Sequence, residues 1–430
     1  MVTVNIDEIV GTPRLEVTSA TALADVTRET KVDGTMVITN AFGSSYTTPQ
    51  LYNGYVKIKG SGNGSWGFNK KSYSFDPVDV VGADVEFPLF GWPSGKDYRI
   101  LPDCPDKTLF RNQLAFYLSK CLGLPWSSRN RKVEFYYNGE YRGVYTMVEK
   151  IKRGSTRVDI KKMANTDNSG ANLTGGYLIE SNALVGSSPP DVSEPNLIFD
   201  TYYYRIETPK STDITTQQRD YIFGQLSALD NAVKNIAFDD LTNGYRAYID
   251  VDSFARYYLA QELFGNWESN SQWFYKERSQ KIKASPVWDY DLAFGNTATY
   301  QANIQSASFA YWPYLLEDPY FEGRIKALWA ESRDNLSTFR TFLSKQRKAL
   351  NDSGALARQI ARLGADNCYY LPAISPNASY DAQYDFLVQN VQDRIAWMDA
   401  RLDYSVDTDL TLGDNDVILN GAGKSIRIKS

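Results

Sequence analysis

The spacing of apolar residues changes after Pro209, and this change limits the chain to a small set of architectures. Before it, segments such as Leu15 to Thr18 and Thr35 to Thr39 alternate apolar and polar residues, which is typical of half-buried strands. After it, segments such as Thr215 to Asn235 and Tyr380 to Leu402 repeat apolar residues with the period of a helix. Strands followed by helices predict an α+β fold.

Three parts follow from this pattern in a chain of 430 residues. Residues 1–210 are predicted to form a β-rich part, and residues 211–403 a mainly helical part. The helical part is interrupted by one strand-like segment, Gln272 to Gly295. Residues 404–430 are polar and punctuated by glycine, which predicts a short β tail.

Local signals predict further elements. Asn138-Gly139 lies between two strand-like runs and suits a type I′ hairpin turn. Helical spacing predicts helices over Asp106 to Leu122, Val251 to Phe264 and Tyr320 to Lys348.

Histidine is absent from the chain, which has His 0 in 430 residues. This absence excludes Ser-His-Asp and Cys-His nucleophilic systems, zinc sites that use histidine and histidine pH switches. Acid, base and metal chemistry must therefore use other side chains. The net charge of −5 also argues against a protein that mainly coats nucleic acid or an anionic membrane.

The cysteines and the hydropathy set expectations about the compartment. Cys104, Cys121 and Cys368 are odd in number and widely spaced, so we expect three small core residues rather than a disulfide framework or a metal knuckle. The N-terminus shows no leader pattern, and no apolar run is long enough to span a membrane. These features predict a soluble protein, either cytoplasmic or incorporated in a particle such as a coat or a virion.

Asp289 and Asp291 form the most distinctive local pattern, within Pro286 to Gly295. In an extended segment they project to one face, while Trp288 and Tyr290 pack on the other. Two adjacent carboxylates repel each other unless a cation lies between them, so the pair is a candidate Mg²⁺ site. The alternative is a strand end whose acids are solvated or cap a turn.

A polar loop upstream supplies Glu268, Asn270 and Gln272. Phosphoryl-transfer enzymes use a similar order along the chain, which is an acid, an amide, a strand and a further acid. The first acid orients the nucleophile, and the amide and the later acid hold the metal. The alternative is a helix cap and a connection.

A glycine-rich loop, Gly60 to Gly64, precedes Lys70 and Lys71. Backbone N–H groups at Gly62 and Asn63 are candidates to approach phosphate, with the lysines as point charges. Glu149 is a candidate partner for such a lysine. A plain hairpin turn and an exposed glutamate on an edge strand are the alternatives.

Several motifs in one order resemble the CotH-type kinase family, the spore-coat protein H group of atypical kinases. They are Lys57 to Trp66 with Lys70 to Tyr73, Asp106 to Asn112, Tyr137 to Tyr145 with Glu149, Gly175 to Glu180, Ile249 to Phe254, the loop at Asn266, Trp288 to Asp291, and the helix that carries Arg394, Trp397 and Arg401. Together they extend from about Pro13 to Leu402.

The resemblance implies a distant protein-kinase-like fold that binds ATP with Mg²⁺ or Mn²⁺ and phosphorylates Ser or Thr of a protein substrate. It implies that Lys71 or its neighbour Lys70 contacts phosphate and that Glu149 steadies this lysine. Asp289 and Asp291 would hold metal and act at the phosphoryl centre.

In the same resemblance, Glu268 takes the catalytic position of the loop and Gln272 or Asn270 supplies the metal-binding amide. Arg111 is expected to be architectural and to tie its helix to the sheet.

The chain departs from the family pattern at two positions. Ser61 stands where the family usually has an arginine between two glycines, and Glu268 stands where it usually has aspartate. A displaced base lowers the rate strongly, because the reacting geometry is tight. The alternative function is therefore a catalytically degenerate structural or adhesive component of a virion, coat or surface assembly, with neighbouring subunits as partners. A carbohydrate-active protein with two carboxylates is a more distant reading.

Overall fold

The computed structural model describes residues 11–39, 50–62, 64–183, 196–199, 202–235, 238–266, 271–296, 311–366, 368, 378–405, 412–413, 416–421 and 424–429. The strands are β1 (Arg14–Thr18), β2 (Val32–Thr39), β3 (Gln50–Ser61), β4 (Ser72–Val78), β5 (Tyr98–Leu101), β6 (Asn130–Tyr137), β7 (Glu140–Glu149), β8 (Tyr177–Ala183), β9 (Asn196–Ile198), β10 (Tyr202–Thr208), β11 (Gln272–Lys276), β12 (Ile282–Ala284), β13 (Leu412–Gly413), β14 (Asp416–Gly421) and β15 (Lys424–Lys429). The helices are α1 (Arg111–Cys121), α2 (Gly170–Leu173), α3 (Thr216–Lys234), α4 (Val251–Phe264), α5 (Trp312–Leu315), α6 (Pro319–Leu336), α7 (Phe339–Asp352), α8 (Ala355–Asp366) and α9 (Tyr380–Arg401).

The first seven strands form a closed barrel in the order β1-β2-β3-β4-β5-β7-β6. Neighbouring strands are antiparallel except β1 and β6, whose parallel pairing closes the barrel. The predicted α+β class, with strands first and helices after, is confirmed. The kinase-like fold that the resemblance implied is not, because the N-terminal strands close on themselves rather than form a kinase-like sheet.

Local sequence patterns account for the barrel strands. Leu15 and Val17 of β1 are fully buried and alternate with half-buried polar residues, as the predicted strand requires. Between β6 and β7, Asn138 and Gly139 have φ values of 50° and 79°. Positive φ at both central residues defines the type I′ turn, so this hairpin is confirmed.

A second sheet has the order β12-β11-β8-β10-β9 and joins strands from both sides of residue 210. One face, with Ile179 and Phe274, packs in the core formed with the helices. The other face, with Leu178 and Trp273, packs on Ile151 in the segment that leaves the barrel. The strand predicted over Gln272 to Gly295 is shorter, because only β11 and β12 form within it.

Helix α1 is the central helix, and every one of its residues except Lys120 is buried. It begins at Arg111 rather than at the predicted Asp106. The Asp106 carboxylate accepts hydrogen bonds from the N–H groups of Thr108 (2.9 Å) and Arg111 (2.8 Å). These bonds form a turn that precedes the helix and supplies its first partners.

Two further helical predictions need correction. The helix predicted over Tyr320 to Lys348 is divided into α6 and α7 at Ser337 and Thr338. The Ser337 hydroxyl donates to the Asp334 carbonyl at 2.7 Å, which satisfies a carbonyl at the end of α6. Helix α8 had no counterpart among the predicted elements.

The cysteine prediction is wrong for two of the three residues. Cys104 and Cys368 form a disulfide with a Cα–Cα distance of 5.1 Å, whereas Cys121 is free and buried, as expected. The disulfide links the segment before α1 to the segment that follows α8. No helix in the described part of the chain is long and apolar enough to cross a membrane.

The glycine-rich segment packs an aromatic ring against bare backbone. A Cβ atom placed on Gly60 would lie 2.0 Å from Cη2 of Trp66, so the ring occupies the space of the missing side chain. Gly62 has a φ of 83°, and its carbonyl accepts a hydrogen bond from Arg28 at 3.2 Å. Gly60 therefore has an architectural role in the loop.

Replacing Gly60 by Ala is expected to lower the free energy of unfolding by about 1–3 kcal/mol, because the methyl group overlaps Trp66. Urea unfolding measures this loss, and adding Trp66→Leu should recover part of it. Gly64→Ala is the matched control, because nothing lies within 4 Å of a Cβ there. Equal effects of the two glycine substitutions would contradict this packing.

Candidate active site

Asp289 and Asp291 lie on an irregular turn after β12 rather than on a strand. Asp289 is exposed and has a φ of 68°, in the left-handed region that residues other than glycine rarely adopt. Asp291 is half-buried. Strand alternation therefore does not set the direction of the two carboxylates. An exposed acid held in a sparsely populated conformation is a feature that clusters at functional sites.

The start of α1 holds this turn in place. The Asn112 side-chain oxygen accepts a hydrogen bond from the Tyr290 N–H at 2.8 Å, directly between the two acids. Arg111 donates from Nε to the Ala293 carbonyl at 2.9 Å. The Asp-x-Thr-x-x-Arg-Asn motif thus fixes the backbone on which Asp289 and Asp291 lie.

Arg111 is anchored by a buried ion pair with Asp106. Their side chains are 1% and 0% exposed, so neither charge is solvated, and each depends on the other. The expected architectural role of Arg111 is supported, although it ties α1 to the turn that carries the acids rather than to a sheet.

Helices α4 and α9 brace the other end of the turn. The Phe294 N–H donates to the Phe264 carbonyl at the end of α4 at 2.7 Å. Gly295 has a φ of 73°, and a Cβ there would lie 2.5 Å from Nδ2 of Asn390 on α9. Arg394 and Glu262 join α9 to α4 through a buried ion pair at 2.7 Å. The turn is therefore fixed by three helices.

Arg99 of β5 reaches the same turn from the barrel. Its guanidinium lies over the Trp288 ring, 5.4 Å from the ring centroid. Burial lowers the pKa of Arg99, and the Asp289 carboxylate acts most strongly in the opposite direction, followed by Glu180 and Glu207. The turn and the barrel thus meet around an arginine that sequence reasoning missed.

Gln272 supplies a candidate metal ligand at the start of β11. It is 2% exposed, and its side-chain oxygen is buried without a hydrogen-bond partner among the described residues. Such an orphaned oxygen is available to a cation. Glu268 and Asn270 lie outside the described residues.

The described residues contain no group of three or more acidic or cysteine side chains able to hold a metal ion. A cation at this turn would rest on the two aspartates. Mg²⁺ is usually bound through one or two carboxylates together with substrate phosphates, so this sparse set suits Mg²⁺ shared with a ligand.

The two candidate lysines are engaged within the barrel. Lys70 is 2% exposed, and its Nζ donates to the Val144 carbonyl at 2.6 Å. Burial lowers the pKa of Lys70 to about 8. Lys71 donates to the carbonyls of Trp66 and Phe68, both at 2.8 Å, and thereby closes the glycine-rich loop.

Glu149 is fully buried at the end of β7, but its partners are arginines. It pairs with Arg129 at 2.8 Å and with Arg157 at 3.6 Å. Glu149 lies opposite Tyr98, which lies opposite Phe75 of β4. Lys71 is the residue before β4, about 13 Å along the chain from Phe75. The structure therefore does not bring Glu149 together with Lys71. Asn63 lies outside the described residues.

Replacing Arg111 by Met is expected to lower the free energy of unfolding by about 3–5 kcal/mol, because Asp106 would be left as a buried, unpaired charge. Arg324→Met is the matched control, because Arg324 pairs with Asp252 in a partly exposed bridge. Arg324→Met should lower the free energy of unfolding by less than about 1 kcal/mol. Urea unfolding of both variants measures these free energies. Similar losses of stability in the two variants would show that burial does not make the Asp106–Arg111 pair more important than an exposed pair.

Lys70 should make stability rise with pH. Its folded pKa of about 8 lies below the value of an unfolded lysine, so the folded state releases its proton first. Stability is therefore gained as the pH rises from about 8 towards 10. The stability of the parent relative to Lys70→Met should therefore rise by roughly 2 kcal/mol between pH 7 and pH 10.

Unfolding in urea at several pH values measures this difference, with Lys281→Met as the control at an exposed lysine. The difference between the control and the parent should stay constant with pH. A constant difference for Lys70→Met as well would show that burial does not perturb Lys70.

Comparison with known proteins assigns the chain to a family. No curated protein matches it. Residues 56–398 match the family described as CotH kinase protein. The match includes most of the barrel, helices α1 to α8, nearly all of α9 and the turn with Asp289 and Asp291. Because it extends over more than half of the sequence, the chain belongs to the CotH kinase protein family.

Proposed function

We propose that the chain is an ATP- and Mg²⁺-dependent protein kinase that phosphorylates Ser or Thr. The observation that carries the proposal is the position of Asp289, an exposed acid on a turn that three helices fix and that faces a cation of the barrel. Family membership supports kinase chemistry in general. Mn²⁺ can replace Mg²⁺ in this proposal, because both cations prefer oxygen ligands.

The chain's own residues divide the work of phosphoryl transfer. Asp289 and Asp291 bind the divalent cation, and Gln272 offers its orphaned oxygen to the same site. Bound ATP would supply the phosphoryl group, and the cation would neutralise the negative charge of the phosphate oxygens. Glu268 accepts the proton of the substrate hydroxyl. Asn112 and Arg111 keep the acids at a fixed separation from the barrel.

Lys71 is better placed than Lys70 to bind phosphate. An ammonium group has three donors, and two carbonyls occupy two of those on Lys71. One N–H of Lys71 is left to meet phosphate beside Gly62. Lys70 is committed to the Val144 carbonyl inside the barrel, so we assign it a structural role.

A second candidate is a structural or adhesive component of a coat, virion or surface assembly that retains the fold without the reaction. The Cys104–Cys368 disulfide favours it, because disulfides persist mainly in oxidising compartments and on the surfaces of cells and particles. Its partners would be neighbouring subunits rather than a protein substrate with Ser or Thr acceptors. The two candidates differ in whether phosphate is transferred.

Purified protein incubated with labelled ATP, Mg²⁺ or Mn²⁺ and a Ser/Thr-rich protein should transfer phosphate. Asp289→Asn and Asp291→Asn should each reduce the rate by about 100-fold or more, because the cation loses a charged ligand. Asp352→Asn is the control, because that acid is exposed on α7. Transfer that is no faster in the parent than in Asp289→Asn would favour the structural candidate.

A further inference from the structure

Arg99 is a cation whose hydrogen-bonding capacity the described residues do not use. It lies on β5, where the barrel faces the turn with Asp289. Its Nε is shielded from solvent and has no hydrogen-bond partner among the described residues. An N–H group removed from water is costly unless an acceptor pairs with it, and Arg99 as a whole is only half-buried, so a ligand can approach its side chain.

The neighbouring carboxylates do not supply those acceptors. Glu180 and Glu207 both pair with Arg205, the latter at 2.7 Å. They attract Arg99 through space, but their charges are already compensated in part. The Trp288 ring lies 5.4 Å from the guanidinium carbon, at a distance where the ring attracts the positive charge.

A second cation lies beside Arg99 on the barrel. Lys150 follows the end of β7, and the paired neighbour of Arg99 on β7 is Val148, two residues earlier. The Lys150 side chain is 15% exposed, and its Nζ lies 3.7 Å from the Asp76 carboxylate, which also pairs with Lys31 at 2.7 Å. The barrel therefore carries two neighbouring positive charges, and the Asp289 carboxylate acts on the one at Arg99.

We propose that Arg99 binds the phosphate chain of a di- or triphosphate ligand, with Lys150 as the neighbouring cation. This inference rests on the proposed function and adds the residue that holds the phosphate end. A guanidinium presents five N–H donors in a planar fork that matches phosphate oxygens. A polyphosphate also carries enough charge to bridge cations on the barrel and a metal ion at Asp289 and Asp291.

The test uses inorganic tripolyphosphate as the probe, with the full chain in EDTA at fixed ionic strength. Calorimetric titration should show binding to the parent, and Arg99→Met should weaken it at least about tenfold, the loss of a strong charge-assisted contact. Arg99→Lys should lie between the two. Asp289→Asn should bind the probe at least as tightly as the parent, because it removes a repelling charge.

Arg219→Met is the matched control, because Arg219 is an exposed arginine that pairs with the adjacent Asp220. It should leave binding unchanged. Arg99→Met should also keep or raise the unfolding midpoint in urea, because it removes a buried cation that lacks hydrogen bonds. A lower midpoint in Arg99→Met that Arg99→Lys restores, together with equal probe binding by all three proteins, would show a structural role and overturn the inference.

Titration with ATP and Mg²⁺ separates the two levels of the proposal. If ATP with Mg²⁺ binds the parent and Arg99→Met with equal affinity, the role of Arg99 is overturned and the kinase proposal stays intact. Absence of both tripolyphosphate and ATP binding by the folded parent would overturn both. If Arg99→Met fails to fold, the comparison of Arg99→Lys with the parent decides, and equal affinity for tripolyphosphate counts against the inference.

Discussion

The buried ion pair between Asp106 and Arg111 connects the barrel, the central helix and the candidate active site. Asp106 ends the segment that leaves β5 and caps the turn before α1. Arg111 carries the interaction onward to the Ala293 carbonyl in the turn with the two aspartates. Since both charges are removed from water, each requires the other, and the backbone around them has little freedom.

A second set of buried polar residues also connects the barrel to the turn with the two aspartates. Lys132 of β6 pairs with Asp103 at 2.8 Å, and Asp103 accepts a hydrogen bond from Asn112 at 3.1 Å. Asn112 in turn holds the backbone N–H of Tyr290. The barrel therefore reaches the site through hydrogen bonds whose members are all buried, so the position of Asp289 depends on the barrel as well as on the helices.

The same geometry changes the roles that sequence motifs suggested. The glycine-rich loop with Lys71 is organised around the Trp66 ring, and Lys70 and Glu149 satisfy partners inside the barrel. The cation directed at the acidic turn is instead Arg99, on a short strand that carries no recognisable motif. In our proposals, phosphate recognition thus uses Arg99, a residue placed by strand pairing, in addition to the remaining donor of Lys71.

Sequence reasoning succeeded where local chemistry determines structure. Asn138-Gly139 requires positive φ, and the apolar spacing of α4 and α9 identifies helices almost to the residue. It failed where distant segments meet. The parallel pairing of β1 with β6 closes the barrel, and Cys104 meets Cys368 across 264 residues of sequence.

Nothing in a single sequence reports such non-local contacts, and the same holds for the partners of Glu149. At Asp289, sequence-based prediction fails even within a single motif. Alternation along the chain predicts its direction only if the backbone is extended, whereas Asp289 has a φ of 68° on a turn that contacts α1, α4 and α9. Arg99 was missed for a related reason, because its importance comes from the turn with Trp288 and Asp289, which is distant in sequence.

In our proposals, the fixed turn holds a divalent cation opposite a phosphate-binding arginine. A crystal structure with Mn²⁺ and a non-hydrolysable ATP analogue tests this arrangement most directly. We expect anomalous scattering from Mn²⁺ at the Asp289 and Asp291 carboxylates, with phosphate oxygens within hydrogen-bonding distance of Arg99. Manganese and phosphate bound away from this turn, or no bound nucleotide at saturating concentration, would contradict this arrangement.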